Sequence, residues 1–271
     1  MPFTSVIVTT CDWPSALARA LDALAAQTRL PDEVIVADDG SGEPTRQLIR
    51  RRQADFPVPL GHVWQEHQGF RAARIRNAAI RQARGRYILL LDGDCLPVRR
   101  WLADHLEMAE PGVFVQGKRL LVAQGMAEAF SAADLDRPGQ LFGLAARGQL
   151  GNAHHLLPVP LWPARRSRRL AGIKSCNLGL WRQDLEAVNG FDEAYEGWGR
   201  EDSDLAGRLF KYGVMRKDHP FRALVFHLGH PSRVDGRLAE NDRRLAESLS
   251  RADFRCCQGL VPPAGTVPER P

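Results

Sequence analysis

Carboxylates recur in this chain as short patterned groups: ADDGS (Ala37 to Ser41), DGDC (Asp92 to Cys95) and EGWGREDSDL (Glu196 to Leu205). In the second, Asp92 and Asp94 are separated by one glycine. Alternate residues of an extended chain point the same way, so both carboxylates can face one ion. Gly93 lets a bulky ligand come close to the backbone. A hard cation such as Mg²⁺ or Mn²⁺ takes oxygen ligands from one or two carboxylates and from substrate phosphates. A polar turn after a strand would read the same way, because a lone D-x-D is common by chance. Late in the chain, VFHLGH supplies His227 and His230. A histidine that ends a strand is more often structural than a ligand.

The third group combines four acids with a tryptophan and two glycines. Leu205 and Leu209, four apart, mark the buried stripe of a helix that begins near Glu201. Glu201 lies one turn before Leu205 and Asp202 one turn before Ala206, so both acids start the helix near its inward face. The helix dipole favours acids in a first turn and should keep Asp202 ionised. Asp204 precedes Arg208 by four residues and reads as a surface ion pair. The dipole accounts for the charge but not for Gly197, Trp198 and Gly199.

Elements that could position these groups alternate along the first half. Val6 to Thr9, Glu33 to Gly40, the run around His62 to Trp64, and Tyr87 to Asp94 read as strands covered on both faces. Ala16 to Gln27, a segment through Leu48 and Ile49, and Arg71 to Ala83 read as helices, as does Glu201 to Tyr212, stopped by Gly213. Strand and helix in alternation imply parallel βαβ units and an α/β fold. Ligands of such sheets sit beyond the carboxyl ends of the strands. Those ends read TTCD, ADDGS and DGDC, with neither G-x-G-x-x-G nor a P-loop in the chain. A phosphate held there would need a divalent cation. From about Ala123 to Arg169 the strand rhythm is lost, and RRSRR (Arg165 to Arg169) closes what reads as an insertion with a mobile basic loop.

Length and composition set outer bounds. The chain has 271 residues, 44% hydrophobic and 25% charged, enough for one large domain or two small ones. The longest clean apolar run, Ile88 to Leu91, is far below the roughly 18 residues of a membrane span. The start MPFTSVIVTT lacks a basic, then apolar, leader, so a cytoplasmic protein is expected. Five scattered cysteines without a C-x-x-C pair read as reduced thiols. A formal net charge of +5 favours an anionic partner: nucleic acid, a membrane surface or a phosphorylated substrate. A basic nucleic-acid-binding protein would not need acids at its strand ends, which repel phosphate. A nucleotidyltransferase would want a glycine-rich or lysine-bearing loop where this chain has TTCDWP. RRSRR and the scattered arginines fit peripheral contact with an anionic membrane, steering of a phosphate-bearing lipid or polysaccharide acceptor, or a solvated loop.

In order, VIVTTCDWPSALARALDALAAQT, EVIVADDGS, FRAARIRNAAIRQARGRYILLLDGDC and CNLGLWRQDLEAVNGFDEAYEGWGREDSDLAGRL resemble the family 2 inverting glycosyltransferases. The last segment is similar to the C-terminal portion of galactosyltransferases and chondroitin-type polymerases. The resemblance runs from about Phe3 to His230, apart from the middle. It implies a GT-A fold with a Rossmann-like, mostly parallel sheet. Residues 1–122 would form the nucleotide-sugar-binding half, 123–170 an insertion, 171–255 the acceptor-binding and catalytic half, and 256–271 a disordered tail. Thr9 and Cys11 would lie by the nucleotide, Asp39 would hydrogen-bond the uracil of a UDP-sugar, and Arg71 and Asn77 would line the donor site. Asp92 would contact the ribose or metal region, with Asp94 and His227 coordinating Mn²⁺ or Mg²⁺. Trp198 and Glu201 would bind a glycan or glycolipid acceptor, such as a bacterial envelope polysaccharide, and Asp202 would be the general base. Arg200 replaces the second glycine of the family's W-G-G-E-D, and Cys11 or Asp12 stands where the family often has tyrosine or asparagine.

Overall fold

The computed structural model describes residues 1–157, 159, 162–231 and 236–261. The first part alternates as expected: β1 (Thr4–Thr10), α1 (Pro14–Ala25), β2 (Glu33–Asp38), α2 (Glu43–Gln53), β3 (Leu60–Trp64), α3 (Ala72–Gln82) and β4 (Tyr87–Asp92). Next come β5 (Cys95–Pro97), α4 (Trp101–Met108), β6 (Val113–Gln116), β7 (Lys118–Val122), α5 (Pro138–Ala146), β8 (Leu150–Gly151) and β9 (Arg165–Ser167). The chain continues with β10 (Asn177–Trp181), α6 (Arg182–Ala187), α7 (Glu201–Tyr212), β11 (Met215–Asp218), β12 (Leu224–Leu228) and α8 (Leu238–Ser250).

An eight-stranded sheet runs β3-β2-β1-β4-β10-β6-β11-β9. The first four strands are parallel, as the βαβ pattern requires. β10 enters antiparallel to both β4 and β6. A second sheet, β5-β12-β7-β8, diverges beyond β4. Strands covered on both faces explain the continuous apolar runs. In β1, Ile7 packs with Ile35, Ile75 and Leu205 on one face, while Val6 and Val8 pack with Leu17, Leu21 and Trp101 on the other. A third cluster, with Leu120, Phe130, Leu141 and Phe226, fills the space between the second sheet and α5. The sheets are joined at Asn177, whose Oδ1 accepts from Trp101 Nε1 at 2.8 Å and whose Nδ2 donates to Lys118 O and Ala223 O.

Two expectations are corrected here. The basic run is no mobile loop, since Arg165–Ser167 forms β9 and pairs with β11 at the sheet edge. The tail does not begin at residue 256. The Cys256 side chain is buried, Leu260 N donates to Asn189 O at 2.9 Å, and Val261 N donates to Asn189 Oδ1 at 2.8 Å. Residues 262–271 lie outside the described residues. The five cysteines are free thiols, and among the described residues no helix is long and apolar enough to cross a membrane.

Candidate functional site

Parallel register brings the polar strand ends together, with Thr9 of β1 paired to Ala37 on one side and Asp92 on the other. Gly93 is closely packed here. A Cβ on it would lie 3.1 Å from Thr10 Oγ1 and 3.2 Å from Thr9 O, and its N–H donates to Thr9 O at 2.7 Å. Asp39 is 2% exposed and accepts from Arg71 N at 2.8 Å and Gln65 Nε2 at 2.5 Å. The Arg71 guanidinium turns back to Gln68 Oε1 and Glu66 O, closing residues 65–71 over Asp39. Cys11 is half-buried, and Asp12 Oδ1 accepts from Gly42 N at 2.8 Å.

Asn77 does not line this cleft. It is fully buried and clamps the chain after α6: its Oδ1 accepts from Phe191 N at 2.9 Å, and its Nδ2 donates to Phe191 O at 2.8 Å and Glu193 Oε1 at 2.9 Å. Asn77→Ala leaves those backbone groups unpaired, at about 1–3 kcal/mol for each buried one. A clear drop in the denaturation midpoint is expected, with nucleotide affinity little changed among molecules that remain folded.

The neighbouring Arg76 is the residue that sequence reasoning missed. Its Nε donates to Thr9 Oγ1 at 3.2 Å, its Nη2 meets Asp92 Oδ1 at 3.1 Å, and its Nη1 meets Glu201 Oε1 at 3.1 Å. One side chain, 3% exposed, thus joins the ends of β1 and β4 to the start of α7. Burial opposes its charge, yet Asp92 and Glu201 hold the guanidinium protonated beyond its ordinary range. A signal was present: Arg76 lies four residues after Ala72 and four before Ile80, on the inward stripe of α3.

At α7, Gly197, Gly199 and Arg200 all have positive φ (73°, 99° and 82°), so the chain makes a left-handed turn immediately before the helix. That explains the glycines beside Trp198, which is left 45% exposed. Arg200 carries a side chain in a conformation glycine takes freely, and its Nε bonds Asp242 Oδ1 of α8 at 2.5 Å. Glu201 is buried and Asp202 half-buried. Burial raises the Glu201 carboxyl to about 7, reinforced by the Asp202 charge and opposed by Arg76. Asp202 is also raised by burial, against Lys174, Arg76 and the Ser203 and Ser175 N–H groups. The helix dipole therefore does not dominate there, contrary to expectation. The Asp204–Arg208 pair exists at 2.8 Å but is buried, with side chains 1% and 3% exposed. Ser248 Oγ donates to Asp204 at 2.5 Å, so the pair locks α8 onto α7.

Beyond β4, Asp94 faces two imidazoles, His227 Nε2 and His230 Nε2, each 3.4 Å from its Oδ2. β12 pairs His227 with Cys95 of β5, which carries the histidine beside the acid. Ligand atoms of Asp94, Cys95 and His227 lie within 4.8 Å of one another. Cys95 is no match for a hard ion, because burial pushes its thiol well above the ordinary range. Burial raises Asp94 and lowers His227, so neither prefers its charged form in isolation. A carboxyl oxygen set beside an imidazole nitrogen is a donor pair that fits a divalent cation.

The model of "Glycosyl transferase family 2" matches residues 5–146, and that of the "N-terminal domain of galactosyltransferase" matches residues 162–231. The hyaluronan synthase of Pasteurella multocida is 27% identical over 261 residues, covering 91% of this chain and 26% of that protein. The validoxylamine A glucosyltransferase of Streptomyces hygroscopicus subsp. limoneus is 30% identical over 228 residues, covering 79% of this chain and 49% of that one. The chain spans about a quarter to a half of the length of these curated relatives. Among solved structures, S. aureus TarS 1-349 in complex with UDP-GlcNAc aligns with a TM-score of 0.63 at 17% identity, over 90% of this chain and 66% of that one. The Pyrobaculum calidifontis mannosyltransferase in complex with GDP-Man and Mn²⁺ aligns with a TM-score of 0.57 at 22% identity, over 90% of this chain and 61% of that one. These likenesses show the GT-A fold. With the family match spanning residues 5–146 of 271, including the strand ends at Thr9, Asp39 and Asp92 to Asp94, the chain belongs to glycosyl transferase family 2.

Proposed function

We propose that the chain is a metal-dependent, inverting glycosyltransferase that moves a sugar from a nucleotide diphosphate sugar, UDP-linked, to a hydroxyl of a glycan or glycolipid in envelope polysaccharide synthesis. The observation that carries the reading is Arg76, which ties the donor-side strand ends at Thr9 and Asp92 to Glu201, next to Asp202. Donor and acceptor chemistry thereby share one cleft. Asp39, with Thr9 and Cys11 near it, receives the base, and Arg71 holds the loop above. Asp94 and His227, with His230 beside them, hold the cation. A divalent ion bound there supplies Lewis acidity for the negative charge that builds on the departing diphosphate.

Asp202, as carboxylate, takes the proton of the acceptor hydroxyl as its oxygen attacks the anomeric carbon from the face opposite the diphosphate. The bond from C1 to the phosphate oxygen breaks with its electron pair on the diphosphate, and configuration inverts. Glu201 and Trp198 position the acceptor. Because burial raises Asp202, its base form is lost at a higher pH than for a free aspartate. The rate should therefore fall as pH drops through that raised value. A panel of nucleotide sugars, scored for slow hydrolysis without acceptor, tests the reading. Chelation should stop the reaction, and Mn²⁺ or Mg²⁺ should restore it. Undiminished turnover in chelator would remove Asp94 and His227 from the mechanism.

A further inference from the structure

We infer that the acceptor is an anionic glycan, bound along the basic edge formed by β9 and β11 and led from there to Asp202. The inference rests on the transferase reading above and narrows its acceptor. β9 closes the eight-stranded sheet, pairing Ser167 with Arg216, Arg166 with Lys217 and Arg165 with Asp218. The acids on this edge are already neutralised twice over. Glu110 is held by Arg166 at 2.7 Å and Lys217 at 3.0 Å, and Asp218 by Lys118 at 2.7 Å and Arg216 at 3.0 Å. Arg165, Arg168 and Arg169 are exposed and make no ion pair among the described residues. Three positive charges, unpaired among the described residues, therefore stand together at and just beyond an ordered sheet edge.

That edge leads to the candidate base. After Arg169 the chain is pinned by Arg216 Nη1, which donates to Ala171 O at 2.9 Å, and by Lys174 N, which donates to Gln116 Oε1 at 2.9 Å. Exposed Lys174 and the Ser175 N–H then act directly on the Asp202 carboxylate. Glu201 and Asp202 together repel an incoming anion, so a cationic track beside them is what admits a negatively charged acceptor, whereas a neutral one would gain nothing from it. Trp162, at the head of the same segment, is 50% exposed. Its carbonyl is fixed by His219 Nε2 at 2.6 Å and its ring meets Phe221 edge-on, leaving a flat apolar face against which a sugar ring can stack. Charged residues on an edge strand also guard against strand-to-strand aggregation, and that role predicts no ligand preference.

The probe is an oligogalacturonate decamer, compared with the same decamer after reduction of its carboxylates. The unaltered chain should bind the anionic form about tenfold or more tightly, with the difference shrinking as salt screens the charges. The triple substitution Arg165→Ser, Arg168→Ser and Arg169→Ser should abolish that preference at an unchanged melting temperature. Should the variant melt early, the salt series on the unaltered chain still decides. Equal affinity for both decamers, a preference that survives the triple substitution, or binding in its place to vesicles with about 30% phosphatidylglycerol overturns the inference. Metal-dependent hydrolysis of a nucleotide sugar by the unaltered chain reports separately on the transferase reading.

Discussion

Asp202→Asn is expected to lower sugar transfer by about 10³-fold, within the range by which a positioned general base contributes, while UDP affinity stays within about twofold. The asymmetry follows from position. Asp202 lies in the first turn of α7 and is reached by Lys174, Arg76 and the Ser175 N–H, whereas the strand ends that would hold the nucleotide belong to β1, β2 and β4. The substitution is nearly isosteric and removes a charge that burial already disfavours, so the fold should not suffer. Single-turnover transfer and UDP titration by calorimetry separate the two quantities. Equal loss of both would sink the base assignment.

Arg76→Met should destabilise the chain, and more so as pH rises. Removing one partner of a buried ion pair leaves an uncompensated charge, typically at a cost of about 3–5 kcal/mol. Here the Glu201 share is limited, because its carboxyl already lies at about 7 in the parent and escapes by taking a proton; that share is small at neutral pH and grows by about 1.4 kcal/mol per pH unit above it. The sign of the pH dependence follows from the raised carboxyl. The folded chain binds more protons than the unfolded chain between 4.5 and about 7, so Glu201 lowers stability as pH rises through that window. Without Arg76 the window extends upward. The difference between variant and parent should be large at pH 8 and small at pH 5, measured by denaturant midpoints. A pH-independent difference would show that Glu201 does not depend on Arg76. Transfer should also fail in the variant, since Thr9, Asp92 and Glu201 lose their common partner.

Local pattern made half of this molecule legible. The four parallel strands and the helices between them follow from short apolar runs and amphipathic spacing, and α7 begins at Glu201 and ends at Gly213, as its phase and terminal glycine imply. Pairing between distant segments leaves no such trace. β10 lies antiparallel between β4 and β6, and β9 contributes only Arg165–Ser167, too short for a period. Residues 256–261 looked like a tail because their docking depends on backbone groups and on two distant side chains, Asn189 and Arg81. Within the site, the acids were visible as types and spacings. Arg76 was hidden by its charge, since an arginine on an inward stripe reads as a surface residue until its three partners are seen. The raised Asp202 carboxyl was hidden for a related reason: burial raises it, and the Lys174 and Ser175 groups that oppose the shift come from another part of the chain.

Asp94 follows the last strand of the parallel sheet's first half, whereas His227 lies in β12 of the second sheet. An ion shared by them would add a bridge between two layers that Asn177 and the Lys118–Asp218 pair also join, so its occupancy would act on folding as well as on chemistry. Binding to the folded state alone adds about 2.7 kcal/mol at a hundredfold excess over the dissociation constant. The thermal midpoint then becomes a titration curve for the ion, readable without any sugar. The concentration of free divalent metal would set both how fast this protein works and how long it lasts.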